Sequence, residues 1–175
     1  MPITPLHLGP AALIKSFLPR HFSFLVFAFS QFLIDLEPLY FILREEMPLH
    51  RFFHTFAGAT LLGLISYLLG RPIAGISSHF LAGQLKWNWQ SLRLATQHIS
   101  HVSAFSAAWL GVYSHIALDS IMHSDVFPLT PILDSSPLHA LVTVDTLHIY
   151  CVGSGLLGCL LIGMRALYPR DREAR

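Results

Sequence analysis

Five apolar stretches divide this 175-residue chain: Leu6 to Leu18, Phe22 to Leu43, Phe52 to Leu69, Val102 to Met122 and His148 to Leu167. Crossing the hydrocarbon of a bilayer takes about 20 apolar residues in a helix. The second, fourth and fifth stretches reach that length, the third is marginal, and the first is a partial span. Breakers fall between them: Pro19, Pro48, the run Gly70-Arg71-Pro72, and Pro128, Pro131 and Pro137. The expected architecture is all-α, an integral membrane bundle of about five helices. It occupies residues 1–168 as one domain, followed by a short charged cytoplasmic tail, 169–175. Ile73 to Leu94, with Lys86, Trp87, Trp89 and Arg93, is expected to be an interfacial amphipathic helix with aromatic and basic anchors.

Composition supports lipid as the solvent. Hydrophobic residues make up 53% of the chain and charged ones 12%, about half the share usual in a soluble domain. A net charge of +1 leaves too few clustered cations for nucleic acid to be a partner. Cys151 and Cys159 are eight apart in one apolar helix, a spacing that suits neither a disulfide nor a metal. No cleavable signal peptide is expected, because the first residues lack a basic start. Gly58 and Gly63, and Gly153 to Gly163 around Ser154, give small-residue faces that suit packing within one chain or between copies.

Alternating the five stretches across a bilayer sorts the charges. Lys15, Arg20, Arg71, Lys86, Arg93, Arg165, Arg170, Arg172 and Arg175 fall on one side, against Arg44 and Arg51 on the other. Loops rich in Lys and Arg stay in the cytoplasm, so this is the expected inner face of a cytoplasmic membrane, with the C-terminus inside. The acids go the opposite way: Asp35, Glu37, Glu45, Glu46, Asp119, Asp125, Asp134 and Asp145 fall outside.

Histidines accompany those acids. His7 opens the first helix, His50 and His54 open the third, and His115 and Asp119 lie near the outer end of the fourth. The pairs His50/His54 and His115/Asp119 are each four residues apart, which stacks two potential ligands on one helix face. Asp35 and Glu37 add oxygen donors. Mixed nitrogen and oxygen ligands favour a divalent metal, zinc first, with manganese or iron as alternatives. A buried charge costs about 2.5 to 3.5 kcal/mol at the centre of a membrane helix, so Asp119 needs a compensating partner. The plainer reading is a set of polar groups satisfied by one another or wetted at the interface. His21, His79, His98 and His101 read that way; His123, Asp125 and His139, in the loop before the fifth helix, are additional candidates.

In order, Thr4-Pro5-Leu6-His7-Leu8-Gly9, Ile34-Asp35-Leu36-Glu37-Pro38, His50 to Thr55 and His115 to Asp119 make a pattern. It resembles the YdjM-like family of membrane-bound metal-dependent hydrolases, itself distantly similar to zinc-dependent phospholipase C. The chain departs from it at Ile34 and Glu37, where the family shows a Pro-Asp-x-Asp element, and at Phe52, where the family has Gly. The resemblance implies metal ligands at His7, Asp35, His50, His115 and Asp119, with Glu37 and His54 as catalytic candidates and Glu37 as general base. It also implies an enzyme that hydrolyses a phosphoester or lipid-type substrate at the outer membrane interface, with membrane lipids around it. Two other classes compete. A non-catalytic scaffold would keep a structural metal, and an ion or proton transporter would place ionisable groups toward both faces rather than at one.

Overall fold

A computed structural model describes residues 5–84 and 99–167, the side chains of 78–84 excepted. After a 3-10 turn, Pro5–His7, come α1 (Leu8–Phe17), α2 (Phe24–Leu43), a second 3-10 turn (Phe52–His54), α3 (Phe56–Gln84), α4 (His101–Met122) and α5 (Val144–Leu167). No strand occurs among the described residues, and the fold is all-helical.

Four of the five helices begin on a hydroxyl that accepts an orphan amide of the first turn. Ser23 takes the Val26 N–H, Thr55 that of Gly58, Ser100 that of Ser103 and Thr143 that of Thr146. The apolar stretches therefore start where a polar cap precedes them. The fifth starts at Val144, one turn before the expected His148, because Thr143 supplies the cap.

Two further features differ from expectation. The third helix does not end at Gly70-Arg71-Pro72; it runs through Pro72 to Gln84. A single proline removes one helical hydrogen bond, which neighbouring helices compensate in membrane bundles. Here Arg71, beside Pro72, donates from Nε to the Ile99 carbonyl at 2.9 Å and fastens this part of α3 to the segment before α4. The expected interfacial helix is thus helical from Ile73 to Gln84 as part of α3, while Lys86, Trp87, Trp89 and Arg93 lie outside the described residues. The second difference concerns which helices can span. Among the described residues three are long and apolar enough to cross a membrane: Phe24–Leu43, Phe56–Ser77 and Val144–Leu167. α4 is not one of them, although its stretch has the length. Its 22 residues carry His101, His115, Asp119 and several serines, and its buried positions are mostly small: Ser103, Ala104, Ala107, Ala108, Gly111 and Ser120. It packs against both α2 and α3, so its polarity meets protein rather than lipid.

Two apolar clusters stack along this trio. One joins Phe22, Val26 and Phe27 of the α2 side to Ala74, Ala104, Ala107 and Ala108; the other joins Ile34 to Ala59, Leu62, Val112 and Ile116. α1 packs on α5 through small residues. A Cβ on Gly9 would stand 1.9 Å from the Cys151 carbonyl oxygen, and one on Gly158 would stand 2.4 Å from Ala12 backbone, so the two helices touch backbone to backbone. Gly155 joins that contact, whereas Gly153 and Gly163 have open space around them. The small-residue face of α5 is therefore used within the chain at Gly155 and Gly158. Cys151 is buried and Cys159 exposed, and both are free thiols.

The bundle has two unlike ends. At one, Lys15 caps the carbonyls of Pro19 and Phe22, at 2.7 and 2.8 Å, and Arg165 donates to the Ser16 carbonyl. At the other, His7, the C-terminal half of α2, the 3-10 turn before α3 and the C-terminal half of α4 come together.

Candidate metal centre

Asp119 stands at the middle of the second end. Four imidazoles from three parts of the chain turn Nε2 toward its carboxylate: His115 at 3.1 Å, His7 and His54 at 3.6 Å, and His50 at 3.8 Å. Asp35, one α2 turn beyond Gln31, brings a second carboxylate to 3.3 Å from His115 Nε2. Every one of these groups is buried: His54 and His115 have no exposure and Asp119 has 4%. Helical spacing does part of this, since Asp119 follows His115 by one turn. The rest is tertiary. The 3-10 turn Phe52–His54 swings His54 inward beside His50, with ring centroids 4.6 Å apart, and the turn before α1 sets the His7 ring edge-on to His115 at 4.9 Å.

The outward nitrogen of three of these rings is held. His115 Nδ1 lies 2.7 Å from the Gln31 side-chain oxygen, while the Gln31 amide nitrogen donates to the Gly111 carbonyl at 2.7 Å. A backbone carbonyl only accepts, so the amide is fixed in orientation, its oxygen accepts, and His115 must carry its proton on Nδ1. His54 Nδ1 donates to Glu37 at 2.8 Å, and His50 Nδ1 to Asp125 at 3.0 Å. Each therefore presents the Nε2 lone pair to the centre, as metal-binding histidines do when a second group backs them.

Those inward atoms are not paired with one another. His54 Nε2, His115 Nε2 and both ring nitrogens of His7 are buried without any hydrogen-bond partner. Buried polar atoms are rarely left so, and orphans that converge on one point suit the binding of an ion. The spacing agrees. Two ligands bound to one tetrahedral zinc at about 2.1 Å each lie about 3.4 Å apart, and the contacts of His115 and His54 with the two carboxylates run from 3.1 to 3.6 Å. One ligand atom each from Asp35, His54, His115 and Asp119 lies within 4.8 Å of all the others, and the same holds for a second group, His50, Asp119 and His123. This buried His and Asp cluster could hold a divalent metal ion. No family model, curated protein or solved structure matches the chain.

All seven residues singled out in the sequence lie at this end. Five of them, with His54 among them, surround Asp119 directly: His7, Asp35, His50, His54 and His115. Glu37 stands behind. Its two oxygens accept from the backbone N–H of Arg51 and Phe53 at 3.0 and 2.9 Å as well as from His54, which folds the 3-10 turn around it. Of the loop candidates, Asp125 accepts from the N–H groups of Leu49 and His50, His123 lies ring to ring with His50 at 4.7 Å, and His139 is exposed without a role here. Burial works against ionisation of Asp125, yet the hydrogen bond from His50 Nδ1 and those from the two backbone amides hold its carboxyl below the ordinary range. Burial and the neighbouring His54 push His50 down from 6.5, and burial lowers His123 as well, so both are neutral and ligand-competent at pH 7.

Gln31 escaped sequence reasoning. A lone amide in an apolar helix reads as an incidental polar residue, and its one signal is its place four residues before Asp35, on the same face. Replacing it with Leu keeps a buried side chain of similar size but removes the acceptor behind His115. Gln31→Leu is expected to weaken metal affinity by about 10- to 100-fold, measured by competition with a chromophoric chelator. An unchanged affinity would show that His115 needs no backing.

Proposed function

We propose that this chain is a membrane-bound, metal-dependent hydrolase acting on a phosphoester, with zinc as the metal and manganese or iron as alternatives. The observation that carries the proposal is the convergence of orphaned imidazole nitrogens on two buried carboxylates at one end of an apolar bundle. Asp35 and Asp119 supply the negative charge that holds a cation, and His54 and His115 turn their Nε2 atoms toward the same point. When bound, the ion brings the pKa of a water down toward about 7 and polarises a phosphoryl oxygen. The chain's own residues orient and protect. Gln31, Glu37 and Asp125 lock three imidazoles in one tautomer, and His7 closes the α1 side. With both oxygens occupied by three donors, Glu37 fits a positioning role for His54 better than the role of general base. Asp119 belongs to both ligand groups and would be shared if His50 and His123 bound a second ion.

The ordered blocks shared with the YdjM-like family support a hydrolase over a scaffold. The one-sided cluster supports a reaction site over a conduction path, because a path needs ionisable groups along its length. The basic residues Lys15, Arg71 and Arg165 gather at the end away from the cluster, which supports a site on the outer face and a cytoplasmic C-terminus.

The test begins with metal content of the detergent-purified protein by elemental mass spectrometry, followed by turnover of nitrophenyl phosphoesters before and after chelation. Near-stoichiometric metal, with turnover lost on chelation and restored by zinc, is the expected result. Bound metal without turnover on any phosphoester would leave a structural centre instead, and a wild-type protein that neither contains nor takes up metal would overturn the reading altogether.

A further inference from the structure

Beside the metal centre lies a cavity of about 560 Å³, within the usual range for a ligand pocket. Pro48, Phe52, Ala57, Phe127 and Pro131 form most of its wall, and His50 is common to both spaces. Its Nε2 faces Asp119 while the same ring borders the cavity. The wall is nearly all apolar although it stands at the polar end of the molecule. Its only cation, Arg51, is consumed locally: the guanidinium lies over the Phe41 ring at 3.6 Å, donates to Glu46 at 3.2 Å and from Nε to the Pro48 carbonyl at 3.0 Å. A charged ligand finds nothing to pair with there.

The lip of the cavity is apolar as well. Next to Pro131, Ile132 is 90% exposed and Leu133 45%, and Phe52 across the opening is 55% exposed. Such a patch on a loop at the end of membrane-spanning helices is the kind that enters a lipid interface. We infer that the cavity takes one alkyl chain of a lipid phosphate drawn from the surrounding bilayer, its phosphate lying across His50 at the metal centre. This inference rests on the hydrolase proposal and names its substrate class.

The test uses the zinc-loaded full chain in detergent and compares binding of ethyl, butyl and octyl phosphate by calorimetry. Burying each added methylene in an apolar cavity is expected to tighten binding by up to about fourfold, and octyl phosphate to bind at least tenfold more tightly than ethyl phosphate. Ala57→Trp and Thr130→Trp fill the cavity from two walls and are expected to lose that chain-length gain while keeping their metal. Each affinity is corrected for the micelle partition of that phosphate, measured separately at the same detergent concentration, because partition rises with chain length. Equal affinity for all three phosphates in the metal-loaded wild type, or a gain that survives in a metal-replete cavity variant, overturns the inference and leaves the metal proposal standing. A wild type without metal sinks the proposal beneath it instead. In nanodiscs, phosphatidic acid added to phosphatidylcholine is expected to displace octyl phosphate; failure to do so rejects the bilayer as the source.

Discussion

Asp119→Asn lowers apparent metal affinity by about a hundredfold or more, and with it any turnover on phosphoesters. Among the described residues no other side chain is approached by four imidazole nitrogens, and none belongs to both ligand groups. The amide matches the carboxylate in shape, so the variant removes charge while leaving packing intact. Its diagnostic reading is thermal. In the wild type, a metal that binds only the folded protein raises the melting temperature in proportion to the logarithm of its concentration. In Asp119→Asn the same shift requires about a hundredfold more metal. His123→Ala is the comparison: it touches the second group alone and is expected to retain metal in the first. Should Asp119→Asn bind metal normally, the carboxylate at the centre of the cluster would be a structural ion-pair partner and nothing more.

Gly9→Ala is expected to cost stability at or beyond the upper end of the about 1–3 kcal/mol usual for overpacking. The new Cβ would meet the Cys151 carbonyl oxygen at 1.9 Å and its carbon at 2.7 Å, and backbone atoms in a helix cannot step aside as a side chain can. The contrast is Gly153→Ala on the same pair of helices, where nothing lies within 4 Å. There the change is expected to stay within about 0.5 kcal/mol. Unfolding in a graded denaturing detergent measures both. Equal behaviour of the two variants would mean that α1 and α5 do not touch backbone to backbone.

The rough positions of the helices were legible because hydropathy and breakers act locally, whereas the capping hydroxyls Ser23, Thr55, Ser100 and Thr143, which set where four of them start, were not read. The end of α3 was not, since a proline signal at Pro72 is read from sequence as a stop, whereas the bond it removes is compensated by tertiary contacts such as that of Arg71. The role of α4 was hidden for a related reason. Its length and apolar share invite a span, but its polar and small residues face α2 and α3, which only packing reveals. At the metal centre the residues that converge were readable from chemistry and helical spacing, notably His115 with Asp119. The supporting contacts were not. Gln31 reaches Gly111 and His115 some eighty residues away in sequence, and no local pattern encodes that pairing.

The backbone contact of Gly9 with α5 also sets an order of assembly. α1 leaves the ribosome first, yet the surface it rests on belongs to the last of the five helices. Until Gly155 and Gly158 have been synthesised, the backbone contact that seats α1, and with it His7, is missing. A nascent chain with α2, α3 and α4 already inserted would hold Asp35, His54 and His115 but lack its lid, so the centre is completed only when the two ends of the bundle meet.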